Sequence, residues 1–335
     1  MPGLVPGIQP SERGGASGTM DPGDKHRDDH GVQASLTGHR DSMAAFGNIL
    51  LGGIFHAAVL FLVAAGLQLV FGVQKIVNLA CGSFYALGAY FGITFVTISL
   101  RAGLPAWTLL PLLIIAGALM AVVGPPIERI LRTVYDRDES FQLLLTFAMV
   151  LMFQDVFRFL WGANPQSLDN VQLVYGKIAA GDFIVPVYNL LVIAAAIGAA
   201  AAIGLFLQRT NYGRLLRATA ENRSMAEALG VDVRSIYTVV FTLGTLLGTV
   251  GGALVVPTAA ASLDMAVEVV IEAFAVVVIG GLGSMAGALA GSLLVGLIRA
   301  ISLVVYPEFE ILAIYLIVIG VLLLRPSGLF GKPAA

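Results

Sequence analysis

Apolar residues in this chain occur in long runs, not in the short periodic patterns of a soluble protein. A bilayer core of about 30 Å needs about 20 apolar residues per helix. Such runs predict membrane-spanning helices at 47–72, 78–100, 105–124, 141–160, 183–207, 235–257, 266–280, 284–305 and 309–325. The segment 266–280 is the shortest, and whether it crosses fully or re-enters stays open. We therefore expect an all-α polytopic membrane protein with eight to nine transmembrane helices.

The charges of the connecting loops predict the orientation of these helices. Short basic loops remain on the cytoplasmic side during insertion. The loop 208–234 is rich in arginine and contains Arg209, Arg214, Arg217, Arg223 and Arg234. The loop 125–140 is also basic, whereas the loop 161–182 is not. Nine crossings with the N-terminus outside and the C-terminus inside satisfy this distribution.

The first 46 residues differ in composition from the rest, because they are rich in glycine, proline and charge. Such a segment cannot bury enough apolar surface to offset the cost of ordering, so we expect a disordered extension. A metal-binding tract of His26, His30 and His39 is the alternative, but their spacing is loose. Met43 precedes the first apolar run, so whether residues 1–42 are translated stays open. Because of their composition, we predict that these residues are dispensable.

Composition and motifs exclude several classes of function. Apolar residues make up 58% and charged residues 12% of the 335 residues, against about a quarter charged in soluble domains. Cys81 is the single cysteine, which excludes an intramolecular disulfide and a cysteine-based metal site. No phosphate-binding loop, zinc motif, nucleophile elbow or dinucleotide fingerprint is present. We expect no catalytic residues, cofactor or metal, and any ATP hydrolysis must come from another chain.

Two glycine-containing corners interrupt the apolar runs. The first contributes Asn78, Cys81, Gly82 and Ser83, and the second contributes Gly281, Gly283 and Ser284. Broken helices are tolerated in a membrane where their backbone lines a cavity, so both corners are candidates for a translocation pathway and are expected to approach each other. The alternative is close helix packing, which we favour for Gly88, Gly287 and Gly291.

Four blocks, in order, resemble the permease family of branched-chain amino acid ABC transporters. The blocks are Gly66–Gly72 with Asn78–Tyr90, Gly213–Gly230, Ala273–Ala288 and Arg325–Gly331. The resemblance covers about residues 47–333, taken here as one transmembrane permease domain. It implies a bacterial inner-membrane subunit, surrounded by lipid, that translocates branched-chain or other hydrophobic amino acids. The alternatives are an importer of urea or short amides and an ATP-independent channel or carrier.

The resemblance also implies protein partners and a coupling loop, and it implies no nucleic acid. The partners are two ATP-binding subunits, a second permease that is homologous or identical, and a periplasmic substrate-binding protein. The loop 208–234 would contact an ATP-binding subunit through a short helix near 221–229. The residues implied for coupling are Gly213, Arg214, Arg217, Ala220, Glu221, Ala226 and Gly230.

Two departures from the family pattern concern polar residues. Family members commonly carry His, Gly and an acidic residue where this chain has Cys81, Gly82 and Ser83, which leaves the substrate open. Family members often carry Lys at the position of Glu272 and Glu at that of Arg299, so the signs of the two charges are exchanged in this chain. Since an isolated ion in hydrocarbon costs several kcal/mol, we predict that Glu272 and Arg299 form a structural ion pair. Exchanging the two residues is expected to restore stability.

Overall fold

The computed structural model describes residues 25–135, 137–168, 174–180 and 183–331. The chain divides into two units, Met1–Ala44 and Ala45–Ala335. The described residues form α1 (Lys25–Gln74), α2 (Cys81–Arg101), α3 (Leu109–Met120), α4 (Gly124–Leu131), α5 (Glu139–Trp161), α6 (Val187–Arg209), α7 (Asn211–Glu221), α8 (Arg223–Ala228), α9 (Val233–Val255), α10 (Met265–Gly280), α11 (Met285–Val305) and α12 (Glu310–Leu324). An antiparallel hairpin, β1 (Lys177–Ala180) and β2 (Phe183–Pro186), precedes α6.

The all-α polytopic fold class is confirmed. Among the described residues, seven helices are long and apolar enough to cross a membrane by length and composition. They are Phe46–Gln74, Cys81–Arg101, Ala106–Val134, Glu139–Trp161, Val187–Arg209, Val233–Val255 and Met285–Val305. The two remaining predicted segments are the helices α10 and α12, with 16 and 15 residues. At 1.5 Å per residue they reach about 22–24 Å, less than the hydrocarbon core.

The start of the first helix differs from the expected boundary at residue 46. Residues 1–24 of the predicted extension lie outside the described residues, but the chain is helical from Lys25 onward. No proline follows Pro22 before the apolar run begins. A helix that has formed in the apolar run can therefore propagate towards the N-terminus, because each further residue adds one hydrogen bond without a new nucleation step.

Helix α9 is the centre of the bundle, and α1, α2 and α3 pack against it through small residues. A Cβ atom on Gly88 of α2 would overlap the carbonyl of Thr249, and one on Gly252 would overlap the carbonyl of Tyr85. These approaches bring backbones together in the way that small-residue motifs do in membranes. The packing role expected for Gly88 is confirmed. It is also confirmed for Gly287 and Gly291, which lie against Gly280 and Val276 of α10.

Candidate functional site

The first helix break follows the end of α1, and its predicted pathway residues are buried. Lys75 adopts a left-handed conformation with φ of 59°, and non-helical residues then lead to the start of α2 at Cys81. The side chain of Asn78 accepts a hydrogen bond from the backbone N–H of Ala80 at 3.0 Å, which ties the turn to the helix. Only 2% of Asn78, 8% of Cys81 and none of Ser83 is exposed. The neighbouring cavity has a volume of about 10 Å³, room for one water at most.

The second break, at Gly280–Ser284, is held by the side chain of Gln68 from α1. The amide nitrogen of Gln68 donates to the carbonyls of Gly281 at 2.8 Å and Ser284 at 3.2 Å. Its amide oxygen accepts from the N–H of Gly283 at 2.6 Å. Gly281 and Gly283 have φ of 95° and 82°, a region that favours glycine. One buried side chain thus bonds three backbone groups of the corner, and it is the partner of the N–H of Gly283, while the carbonyls of Gly281 and Ser284 also accept from the N–H groups of Ser284 and Ala288.

The C-terminal segment Arg325–Gly331 holds the same break from another side. The N–H groups of Leu329 and Phe330 donate to the carbonyls of Ile279 and Gly280 at 2.8 and 3.0 Å. These carbonyls belong to the last turn of α10, where no intrahelical donor remains. The segment therefore completes the backbone hydrogen bonding at the end of this short helix.

The two breaks approach each other only in part, since Lys75, where the first break begins, lines the same cavity as Gly283 and Ser284, whereas Gly82 lies further away. Gly82 of the first break packs against Ala266 and Val270, near the start of α10. Gly281 of the second break follows the end of the same helix. Between Ala266 and Gly280, α10 rises about 21 Å at 1.5 Å per residue. The corresponding glycine patterns indicated two breaks but carried no information about which neighbours each would have.

The loop 208–234 contains two capped helices. The side chain of Thr210 accepts from the N–H of Gly213 at 3.0 Å and caps α7, and the side chain of Asn222 accepts from the N–H of Met225 at 3.0 Å and caps α8. The helix expected near 221–229 is thus present as α8, directly after α7. Side-chain caps of this kind give each short helix a defined start.

The predicted coupling residues divide between the interior and the surface of this loop. Gly213 is buried, and Ala226 is only 3% exposed. Arg214, Arg217, Glu221 and Gly230 are exposed, and Ala220 is half-buried. The apolar side chains of the loop do not share one face, since Leu216 and Ala226 are buried while Met225 and Leu229 are 59% and 77% exposed. A bulky residue at position 226 would disrupt packing within the chain.

One cavity of about 1110 Å³ joins the coupling loop to the second break. Arg217, Ala220 and Glu221 of α7 line it together with Gly283 and Ser284. Residues predicted for coupling and residues predicted for the translocation pathway therefore line the same cavity. A displacement of α7 would change the shape of this cavity directly.

Glu272 and Arg299 lie within a larger polar network between α1, α10, α11 and α12. Nη1 of Arg299 donates to Oε1 of Glu272 at 2.6 Å, and Nε of Arg299 donates to Oε1 of Glu310. Nε2 of His56 lies 3.0 Å from Oε2 of Glu272 and 2.8 Å from Nη1 of Arg299. This nitrogen can donate to Glu272 or accept from Arg299, but a single tautomer cannot do both. The structure thus brings the predicted pair together and adds two partners that the sequence did not indicate.

A buried carboxylate that sequence reasoning missed joins α4 to α9. Glu128 is fully buried and accepts from Nη2 of Arg132 at 2.5 Å and from the hydroxyl of Thr238 at 2.9 Å. The hydroxyl of Tyr135 lies 3.3 Å from the same carboxylate. Burial, followed by the nearby charge of Glu128, raises the pKa of Tyr135. Glu128 lies in the loop 125–140 between two predicted spans, so its burial carried no signal in the sequence.

Comparison with known proteins identifies the family of the chain. The sequence model of the family described as branched-chain amino acid transport system / permease component matches residues 49–325. The high-affinity branched-chain amino acid transport permease BraD of Pseudomonas aeruginosa is 26% identical over 300 residues, 85% of this chain and 95% of BraD. LivH of Escherichia coli is 26% identical over 302 residues, covering 85% and 95% of the two chains.

A further relative comes from another organism. The probable branched-chain amino acid transport permease LivH of Methanocaldococcus jannaschii is 29% identical over 312 residues, 84% of this chain and 92% of its own. No solved structure is significantly similar to the chain. The family match covers the bundle, both breaks and the loop with α7 and α8. The chain is a multi-pass membrane protein that belongs to the family of branched-chain amino acid transport permease components.

Proposed function

We propose that this chain is the permease subunit of an ATP-binding-cassette importer that moves branched-chain or other hydrophobic amino acids across a bacterial inner membrane. Two ATP-binding subunits would supply the energy, a second permease would complete the pathway, and a periplasmic binding protein would deliver substrate. Family membership and the names of the relatives favour this function over an importer of urea or short amides and over an ATP-independent channel or carrier.

The observation that carries the proposal is the cavity shared by α7 and the second helix break. A docked ATP-binding subunit would move the loop 208–234 as a rigid body when it binds ATP. Arg217 and Glu221 would then shift relative to Gly283 and Ser284 on the opposite wall. Gly283 lies in the corner between α10 and α11, and glycine permits backbone conformations that other residues disfavour. A small displacement of α7 would therefore change the backbone at this corner most easily.

Two exposed apolar side chains of the loop are the expected anchors for the ATP-binding subunit. Met225 and Leu229 point away from the bundle and have no place in its core. Anchors of this kind often account for about 2 kcal/mol of binding, a factor of about 30 in affinity. Leu229→Asp should therefore weaken docking by about that factor, without a cavity in the permease itself.

The test uses the complete importer in proteoliposomes, with leucine uptake and ATP hydrolysis measured together. Leu229→Asp should reduce ATP-dependent uptake while the variant inserts at the wild-type level. Leu104→Asp is the matched control, since Leu104 is 45% exposed between α2 and α3, away from the loop. Uptake that continues unchanged without ATP would contradict an importer, and normal uptake by Leu229→Asp would contradict docking at α8.

A further inference from the structure

We propose that Gln74 is a positioning residue, which fixes the end of α1 to α9 so that the first helix break moves together with the start of α9. The inference rests on the proposed function and adds one residue to its mechanism. Gln74 is the last residue of α1, and Lys75, with its left-handed conformation, follows it directly. Gln74 therefore lies where the chain leaves the helix and enters the first break.

The side chain of Gln74 is buried and contacts two other parts of the bundle. Its amide nitrogen donates to the backbone carbonyl of Tyr237, in the second turn of α9, at 3.0 Å. Its amide oxygen lies 3.4 Å from the hydroxyl of Tyr135, which follows α4. Because only 8% of Gln74 is exposed, water competes little for these groups. One amide thus joins the end of α1 to the start of α9.

Tyr237 also contacts the coupling loop. The guanidinium of Arg223, at the start of α8, lies over the ring of Tyr237 at 5.7 Å. The connection from α8 to α9 is short and well bonded, since the N–H of Val231 donates to the carbonyl of Ala226 at 3.0 Å and the side chain of Asp232 caps α9. A displacement of α8 therefore reaches the first two turns of α9 directly.

The way in which α1 and α9 cross gives this hydrogen bond its mechanical role. The two helices meet at Gly66 and Gly244, where a Cβ atom on Gly66 would lie 2.6 Å from the carbonyl oxygen of Gly244. Gln74 and Tyr237 lie about 10–12 Å further towards the coupling loop, at 1.5 Å per residue. A single crossing between glycines does not by itself fix the angle between two helices. The second contact fixes it, so that movement of the start of α9 is passed to the end of α1.

Gln142 provides a matched comparison within the same chain. It is also 8% exposed, and its amide nitrogen donates to the carbonyls of Tyr135 at 3.3 Å and Arg137 at 3.0 Å. Both acceptors lie in the loop 125–140, directly before the helix α5 that carries Gln142. Substitution of either glutamine removes hydrogen bonds of an equally buried amide. Of these two amides, only that of Gln74 connects α9 to the first break.

The experiment measures the ATP hydrolysed per leucine taken up by the complete importer in proteoliposomes. Gln74→Met keeps an unbranched side chain and removes the amide, and it should raise this ratio about ten-fold, within the range for residues that carry coupling between two sites. Gln142→Met should leave the ratio unchanged. Arg223→Gln is a second variant, at the surface, that should raise the ratio in the same direction. The double variant Arg223→Gln with Gln74→Met should have no larger effect than Gln74→Met alone, because both act on one connection.

Three results would overturn the positioning role. Equal ratios for Gln74→Met and Gln142→Met would show only the loss of a buried amide. Effects of Arg223→Gln and Gln74→Met that multiply in the double variant would show two independent contacts. Loss of the ATP-binding subunits from the purified Gln74→Met complex would show a defect in docking and not in transmission. Absence of ATP-dependent leucine uptake by the wild-type importer would instead overturn the proposed function.

Discussion

Removing Arg299 should destabilise the protein more than removing Glu272, although the two residues form one ion pair. With His56 neutral, the network holds one positive charge and the two negative charges of Glu272 and Glu310, a net charge of 1 − 2 = −1. Glu272→Gln leaves Arg299 paired with Glu310. Arg299→Gln leaves both carboxylates with no cation except a protonated His56. The cost therefore depends on which partner remains.

The magnitudes follow from the number of charges left without a partner. Loss of one partner from a buried pair costs about 3–5 kcal/mol. The side chains are 14–29% exposed, which favours the lower end, so we expect about 3 kcal/mol for Arg299→Gln. Glu272→Gln removes a charged hydrogen bond but strands no charge, and should cost about 1.5 kcal/mol. The difference corresponds to about a ten-fold change in the folding equilibrium.

The network also changes what the exchange of the two residues should do. In the double variant Glu272→Arg with Arg299→Glu, the carboxylate at position 299 would face Glu310, and the guanidinium at position 272 would face His56. From the sequence we expected this exchange to restore stability. From the structure we expect only partial recovery of stability. Recovery becomes complete only when Glu310→Gln removes the repulsion between the carboxylates at positions 299 and 310.

The assay is the free energy of unfolding of the purified permease in a mild detergent, with uptake by the complete importer measured in parallel. The reasoning would be refuted if Glu272→Gln were as destabilising as Arg299→Gln, or if Glu310→Gln did not improve the exchange variant. Normal stability of all single variants together with loss of uptake would show that the network contacts substrate and is not structural.

Three further predictions test other parts of the structure. Gln68→Leu should cost about 2–3 kcal/mol and change the dependence of uptake on ATP, because it removes three hydrogen bonds and leaves the N–H of Gly283 without its partner. Gln154→Leu, which loses one long hydrogen bond of 3.3 Å, should leave the stability and the ATP dependence nearly unchanged. Glu128→Ala should lower the thermal stability by about 3 kcal/mol, since Arg132 loses a partner that is fully buried, and a loss below 1 kcal/mol would contradict this role. A chain that begins at Met43 should insert and transport as the full chain does, and loss of uptake on this truncation would show that residues 1–42 are needed.

The membrane spans and the helix breaks could be predicted from local sequence. Hydropathy gives the long helices, and glycine clusters such as Gly280–Ser284 give the corners, because both depend on residues near one another in the chain. The contact of Glu272 with Arg299 could be expected because two opposite charges in apolar runs need partners. His56 and Glu310 could not be assigned to the same network, since their positions depend on how four helices pack.

Gln68 shows where a signal was present but was not used. An amide inside an apolar run loses its hydration in the membrane, so it needs partners from a neighbouring segment. The sequence shows this requirement but not that the partners are at Gly281, Gly283 and Ser284. The distinction between inward Ala226 and outward Leu229 likewise depends on the angle at which α8 meets α9, which helical periodicity alone does not determine.

The hydrogen bonds at the second break have a consequence for biosynthesis. The corner needs Gln68 from the first spanning helix and the N–H groups of Leu329 and Phe330, which are translated far later. Until these last residues emerge from the ribosome, the carbonyls of Ile279 and Gly280 have no donor from this segment. The corner is therefore completed only when translation of the segment is finished. A chain terminated before Leu329 would lack both donors at the end of α10.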